Sequence, residues 1–337
     1  MNLNRAATPT ATKPHEQLAQ YLAPDMEAVN TLIAARMASE HAPRIPQVTA
    51  HLVGAGGKRL RPMLTVAAAQ LCGYSGPYHI HLAATVEFIH TATLLHDDVV
   101  DESTQRRGRP TANLLWDNQS SVLVGDYLFA RAFQLMVEPG NLRVLEILSN
   151  AAATIAEGEV LQLSAARDLK TDESIYLKVV RGKTAALFSA ATEAGGVLAG
   201  ASPAQVQALF DYGDALGIAF QIVDDLLDYT GDSDSTGKNI GDDFRERKLT
   251  LPVIKAVAQA TPEDRAFWQR TIEKGDQRDG DLDHAIALMT QHDTLGATRT
   301  DALAWADRAK AAIRSMPDHP LRQMLIDLAD YVVARLR

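Results

Sequence analysis

With 337 residues, 46% hydrophobic and 22% charged, the chain has the make-up of a soluble globular protein, and its length suits one large α-helical core as well as two average domains. A net charge of −9 argues against nucleic acid as the partner, and a lone cysteine, Cys72, excludes an intrachain disulfide and any CxxC zinc spacing. No run of about 18 apolar residues is present to span a bilayer.

Residues 1–14 are rich in Ala, Thr and Pro and lack an apolar stretch, so they read as a disordered tail rather than a signal peptide. A single all-α domain is expected from residue 15 to residue 337. Its first element is one amphipathic helix from His15 to about His41, closed off by Pro43 and Pro46. A glycine loop around Gly54, Gly56 and Gly57 then feeds Lys58, Arg59 and Arg61 into an apolar helix reaching about Cys72. Glycines let backbone N–H groups approach an anion, and a helix N-terminus favours negative charge. A solvated basic loop is the plainer alternative; a P-loop is excluded, because no GxxxxGK[ST] occurs.

From Pro77 an apolar run continues without Gly or Pro to Asp101, which predicts a helix ending in Asp97, Asp98 and Asp101. Asp97 and Asp101 share a face at i and i+4, and their repulsion is explained by a hard cation with oxygen ligands, such as Mg²⁺. A merely solvated acidic end would oppose the dipole at this terminus. His90 lies two turns, about 10 Å, below Asp97 on the same face. The segment 102–110 is expected to swing Arg106 and Arg107 back over the acidic cluster, where guanidinium forks suit phosphate.

Helical spacing recurs over 118–137 and 140–166, as core or subunit-interface helices, and a short helix started by Thr171 runs to Val180. Lys183 and Thr184 open an Ala-rich segment to Leu198. Ser202-Pro203-Ala204-Gln205 is a capping box for a helix that ends at a second acidic cluster, Asp224, Asp225 and Asp228, with Gln221 one turn below. The second cluster begins 127 residues after Asp97, and two DDxxD clusters on two helices can face one cavity. The polar loop 231–239, of a length suited to a lid, carries Lys238. Beyond Pro252 only helical packing is legible, and there is neither strand-like alternation nor a solenoid repeat.

In order and spacing, Gly56-Gly57-Lys58-Arg59-Leu60-Arg61-Pro62, Phe88-Ile89-His90 through Asp101, Arg106-Arg107-Gly108 and Phe220 through Asp228 resemble the motifs of the trans-isoprenyl diphosphate synthases. The resemblance covers residues from about Pro46 to Pro252. It implies an all-α isoprenoid synthase fold, with helices surrounding a central elongation cavity. By the same resemblance Mg²⁺, about three ions per active site, is held by Asp97, Asp101 and Asp224, with Asp98, Asp225 and Asp228 in direct or supporting roles. Arg106, Lys183 and Lys238 would contact an allylic diphosphate, and Lys58, Arg61, His90 and Arg107 would hold isopentenyl diphosphate. Thr184 and Gln221 would offer oxygen dipoles to an allylic cation. The sequence departs from the family at Glu246-Arg247-Lys248, where glycine usually precedes the lysine.

Short-chain members typically carry an aromatic ring four or five residues before the first cluster. Here those positions are Thr93 and Ala92, with Ile89 below, which favours a long-chain product of octaprenyl to decaprenyl size for a quinone side chain. The alternative is a channel closed by Phe129 or Phe133 and a farnesyl or geranylgeranyl product. A terpene cyclase usually replaces the second DDxxD with an Asn/Ser/Glu motif, and a regulatory subunit generally lacks both motifs. The resemblance also implies a cytoplasmic homodimer with peripheral membrane contact for product release.

Overall fold

Helix-start signals punctuate the chain, and the helices obey them. Ser202 Oγ accepts from the Gln205 N–H at 3.3 Å while Gln205 Oε1 accepts from the Ser202 N–H at 2.9 Å, so two end groups are satisfied reciprocally. The computed structural model describes residues 12–54, 56–106, 108–231 and 240–336. Its first helices are α1 (Pro14–Tyr21), α2 (Ala23–Met37), α3 (Arg44–Gly54), α4 (Leu60–Leu71) and α5 (Tyr78–Val100). After them come α6 (Ala112–Leu115), α7 (Asn118–Val137), α8 (Leu142–Ala165), α9 (Glu173–Val180), α10 (Ala186–Leu198) and α11 (Pro203–Thr230). The C-terminal part adds α12 (Asp242–Arg245), α13 (Leu251–Ala258), α14 (Pro262–Trp268), α15 (Asp281–Gln291), α16 (Thr294–Ala312) and α17 (Pro320–Ala334).

The small-residue helix α10 lies at the centre, packed on α4, α5, α8 and α11. Its approach to α4 is close enough that a Cβ at Gly195 would fall 2.7 Å from the Thr65 carbonyl oxygen. Outside this centre, α5 packs on α2, α4 and α7, and α11 packs on α16 and α17. The last helix, α17, returns to lie against α1 and α4. Apart from one two-residue hairpin the described residues form an all-α fold. Among the described residues no helix is long and apolar enough to cross a membrane.

Four expectations are corrected. The single helix expected over 15–41 is two, because Pro24 near the start of α2 has no N–H to continue α1, and the chain turns at Leu22. The helix after Asp168 is capped by Asp172, which accepts from the Ile175 N–H at 2.9 Å, rather than started by Thr171. It then runs through a widened π-turn, Arg181–Ala185, straight into α10, so two expected elements are one interrupted helix. The segment after Asp101 contains a two-residue antiparallel pair, β1 (Gln105–Arg106) with β2 (Arg109–Pro110), too short to leave an alternating pattern. Residues 1–11 of the expected tail lie outside the described residues.

Candidate active site

The first acidic cluster occupies the last turn of α5, and its members do different things. Asp98 has no solvent exposure, and its Oδ1 accepts from Arg106 Nε at 2.8 Å and Nη2 at 2.7 Å. Arg106 reaches it because the β1–β2 hairpin folds back, pinned where Thr111 Oγ1 donates to the Ser103 carbonyl at 2.7 Å and Asn113 Nδ2 to the Asp98 carbonyl at 3.2 Å. The expected swing of this segment over the carboxylates is therefore present for Arg106; Arg107 lies outside the described residues. Asp97 points instead toward Lys183, whose Nζ is 4.0 Å from Asp97 Oδ2 and 2.8 Å from Glu159 Oε2. Burial pushes the Asp97 carboxyl up to about 7; Lys183 opposes the rise, and Glu159 and Asp101 add to it.

Lys183 is aimed by backbone contact. A Cβ on Gly158 of α8 would sit 2.7 Å from the Lys183 nitrogen, and one on Gly182 would sit 2.8 Å from Gly158 Cα. Two glycines thus let α8 and the π-turn touch, which brings Glu159 against Lys183. π-turns inside α-helices are frequent at functional sites.

The second cluster ends α11. Asp225 is buried and accepts from the Tyr176 hydroxyl at 2.6 Å and from Gln221 Nε2 at 2.7 Å. Burial raises its carboxyl to about 6, against the lowering effect of those two hydrogen bonds. Asp228 Oδ2 accepts from the Asp243 N–H at 3.1 Å, and its carbonyl accepts from the Gly241 N–H at 2.8 Å, which ties α12 to the end of α11. Gln221 Oε1 in turn accepts from Thr184 Oγ1 at 2.7 Å. Neighbouring residues of one π-turn therefore reach both clusters: Lys183 lies beside Asp97, and Thr184 bonds the helix that carries Asp224.

Lys248 sits between the clusters electrostatically. Burial alone would lower its ammonium, but Asp243, Glu246 and Asp101 outweigh burial and raise it above its ordinary value. The preceding Arg247 has φ of 63°, the left-handed region that suits the glycine usual in the family. Its guanidinium compensates by donating from Nε to the Ile272 carbonyl at 2.6 Å and from Nη2 to the Glu273 carbonyl. The departure in sequence thus keeps the backbone turn that delivers Lys248. Lys238 and the loop 232–239 lie outside the described residues.

The basic loop reaches the base of the same α5 face. Arg61 Nη1 lies 3.2 Å from His90 Nε2, and the guanidinium stacks 4.4 Å from the Phe188 ring centroid. Arg59, with φ of 49° at the start of α4, forms an ion pair with the buried Glu87 one turn below His90. Lys58 Nζ is 5.4 Å from the ring of Tyr331 on α17. Of the three residues expected in one subsite, Arg61 and His90 are brought together, while Lys58 lies over Tyr331; Glu159, Tyr176 and Tyr331 were missed. Only Glu159 has a nearby hint, the glycine before it.

Among the described residues no three acidic or histidine side chains already converge on one cation position. The donor set still fits a hard divalent cation, because the carboxylates are all-oxygen ligands, Asp97 is buried beside other carboxylates, and Asp98 Oδ2 and Glu159 Oε1 are buried without a hydrogen-bond partner. Phosphate oxygens of a bound substrate would complete the coordination.

The polyprenyl synthetase family model matches residues 42–289, a span that holds both acidic clusters and the basic loop. The chain belongs to this family. It is 47% identical over 322 residues to the octaprenyl diphosphate synthase of Escherichia coli strain K12, covering 96% of this chain and 99% of that one. A crystal structure of a decaprenyl diphosphate synthase from Rhodobacter capsulatus superimposes with a TM-score of 0.94 at 76% identity, over 96% of this chain and 100% of that one. A polyprenyl synthase from Caulobacter crescentus CB15, solved with calcium and isoprenyl diphosphate, gives a TM-score of 0.91 at 50% identity, over 97% and 99%. The chain is accordingly a prenyltransferase of the polyprenyl diphosphate synthase class.

Proposed function

We propose that this polyprenyl synthetase is a long-chain all-trans-polyprenyl diphosphate synthase, joining isopentenyl diphosphate head-to-tail to an allylic diphosphate. The observation that carries the reading is the π-turn that places Lys183 at the first acidic cluster and Thr184 on the helix of the second. When bound, Mg²⁺ at Asp97, Asp101 and Asp224 supplies the positive charge that stabilises a departing diphosphate. Lys183, Arg106 and Lys238 bind that diphosphate, and Asp98 and Asp225 hold the surrounding side chains in place. Lys58, Arg61, His90 and Arg107 hold isopentenyl diphosphate so that its double bond faces the allylic carbon. Thr184, backed by the Gln221 carbonyl that takes its hydrogen, turns oxygen rather than a nucleophilic carboxylate toward the developing cation. Among the described residues no side chain near the reacting carbons is an obvious base, so the released diphosphate takes the proton.

Small residues at Thr93 and Ala92, and relatives that make octaprenyl and decaprenyl diphosphate, support a product in that range, which suits a quinone side chain. A homodimer suits α7 and the start of α8, where Leu123 is 66% exposed, Phe133 45%, Val137 57% and Leu142 81%. The purified chain, given labelled isopentenyl diphosphate, farnesyl diphosphate and Mg²⁺, is expected to yield a long polyprenyl diphosphate by mass. Cyclised terpene or no incorporation would overturn the reaction, and a geranylgeranyl product would overturn the length.

The two diphosphate subsites predict a split in kinetics. Arg61→Ala removes a guanidinium held at His90 and Phe188, and is expected to raise KM for isopentenyl diphosphate by about tenfold or more, since charge-assisted bonds to phosphate are strong. The KM for the primer should stay within about twofold. An equal rise for both substrates would place Arg61 outside the isopentenyl subsite.

A further inference from the structure

Tyr176 heads a buried chain of three hydrogen bonds that ends at Thr184. Its hydroxyl donates to Asp225 Oδ2 at 2.6 Å, Gln221 Nε2 donates to Asp225 Oδ1 at 2.7 Å, and Thr184 Oγ1 donates to Gln221 Oε1 at 2.7 Å. The directions are forced. A carboxylate only accepts, so Gln221 must turn its NH₂ group to Asp225 and its carbonyl to Thr184. Thr184 then commits its single hydrogen to that carbonyl. Whatever else meets the Thr184 oxygen meets lone pairs.

We propose that Tyr176 is a positioning residue for prenyl transfer: by fixing Asp225, and through it the Gln221 amide, it holds the Thr184 oxygen with its lone pairs toward the reacting allylic carbon. The inference rests on the reading above that Thr184 faces that carbon. Without the phenol, Asp225 is held on one side only, so the carboxylate and the Gln221 amide bonded to it can shift together and carry the Thr184 oxygen off its aim. The Tyr176 hydroxyl is bonded to Asp225, 49 residues away in sequence, so its effect on Thr184 travels through the hydrogen-bonded chain.

Tyr176→Phe deletes only the hydroxyl. It is expected to lower kcat about tenfold per active site with KM for both substrates and the Mg²⁺ requirement unchanged, because aimed dipoles act on the transition state. Thr184→Val should lower kcat by itself, and adding Tyr176→Phe to it should cost little more, since the chain no longer has an end to aim. Wild-type kcat in Tyr176→Phe, or losses that multiply in the double variant, would overturn the proposal. A wild-type kcat in Thr184→Val would instead overturn the placement of Thr184 at the reacting carbon. If Tyr176→Phe does not fold, Gln221→Met breaks the same chain one link further on, and its loss must likewise fail to multiply with that of Thr184→Val.

Discussion

Asp97→Asn is expected to lower kcat for prenyl transfer at least about a thousandfold and, in metal-free buffer, to make the protein more stable near pH 8. The first effect follows from removing the carboxylate that the proposed mechanism gives to the metal at the end of α5. The second follows from proton linkage. The Asp97 carboxyl is raised to about 7 by burial, against an ordinary value of 3.8, so between those values the folded chain holds a proton that the unfolded chain has lost. The Asp97 contribution to stability is therefore highest below about pH 4, falls as pH rises toward 7, and carries the full penalty above it, on the order of 2 to 4 kcal/mol. Asparagine does not titrate, so the gain over wild type should be present near pH 8 and absent near pH 4. Thermal unfolding in chelator at the two pH values measures it. A Tm at the higher pH that is equal to or below wild type would show that the carboxylate is at ease in the metal-free fold. Asp224→Ala should show the same loss of turnover with the helical circular dichroism intact.

Why the carboxylates were legible and their supports were not is a matter of range. Asp97 and Asp101 declare themselves by an i and i+4 spacing that needs no partner, and Arg106 follows only eight residues after Asp98. Glu159 pairs with Lys183 across 24 residues and Tyr176 with Asp225 across 49, and no local pattern marks such contacts. The π-turn at Arg181–Ala185 is invisible for a different reason: one extra residue in a helical turn changes backbone geometry, not composition. Arg247 reads in sequence as a lost glycine, while its φ of 63° and its bonds to the 272–273 carbonyls show the turn retained by other means. The C-terminal helices carried no motif, but Tyr331 on α17 lies under Lys58 and stacks on His15 at 4.7 Å. Helix order and the Ser202 cap were legible because they rest on nearest-neighbour chemistry.

Product length should be set by the face of α5 below Asp97, and Thr93→Phe and Ala92→Phe are each expected to shorten the product to farnesyl or geranylgeranyl size while turnover continues. A growing chain anchored by its diphosphate at Asp97 must extend away from the carboxylates, and at about 100° per residue Thr93 lies about 40° from Asp97, one turn down. Thr93 is half-buried with its hydroxyl folded onto the His90 carbonyl at 2.8 Å, so it turns a methyl rather than a polar group to its surroundings. Ala92 flanks it, and Ile89 and Val86 continue below; all three are fully buried. From Asp97 to Leu82 the helix provides roughly 22 Å of wall. Of the two phenylalanines of α7, Phe129 stacks 5.9 Å from His96, and Phe133 is 45% exposed. A phenyl ring at either upper position fills the space the third or fourth isoprene unit would need, and it leaves the diphosphate sites untouched. The mass of the extracted product measures the effect. Variants that turn over and still release the wild-type length would place the path along another helix, and loss of folding in Ala92→Phe alone would leave Thr93→Phe to decide.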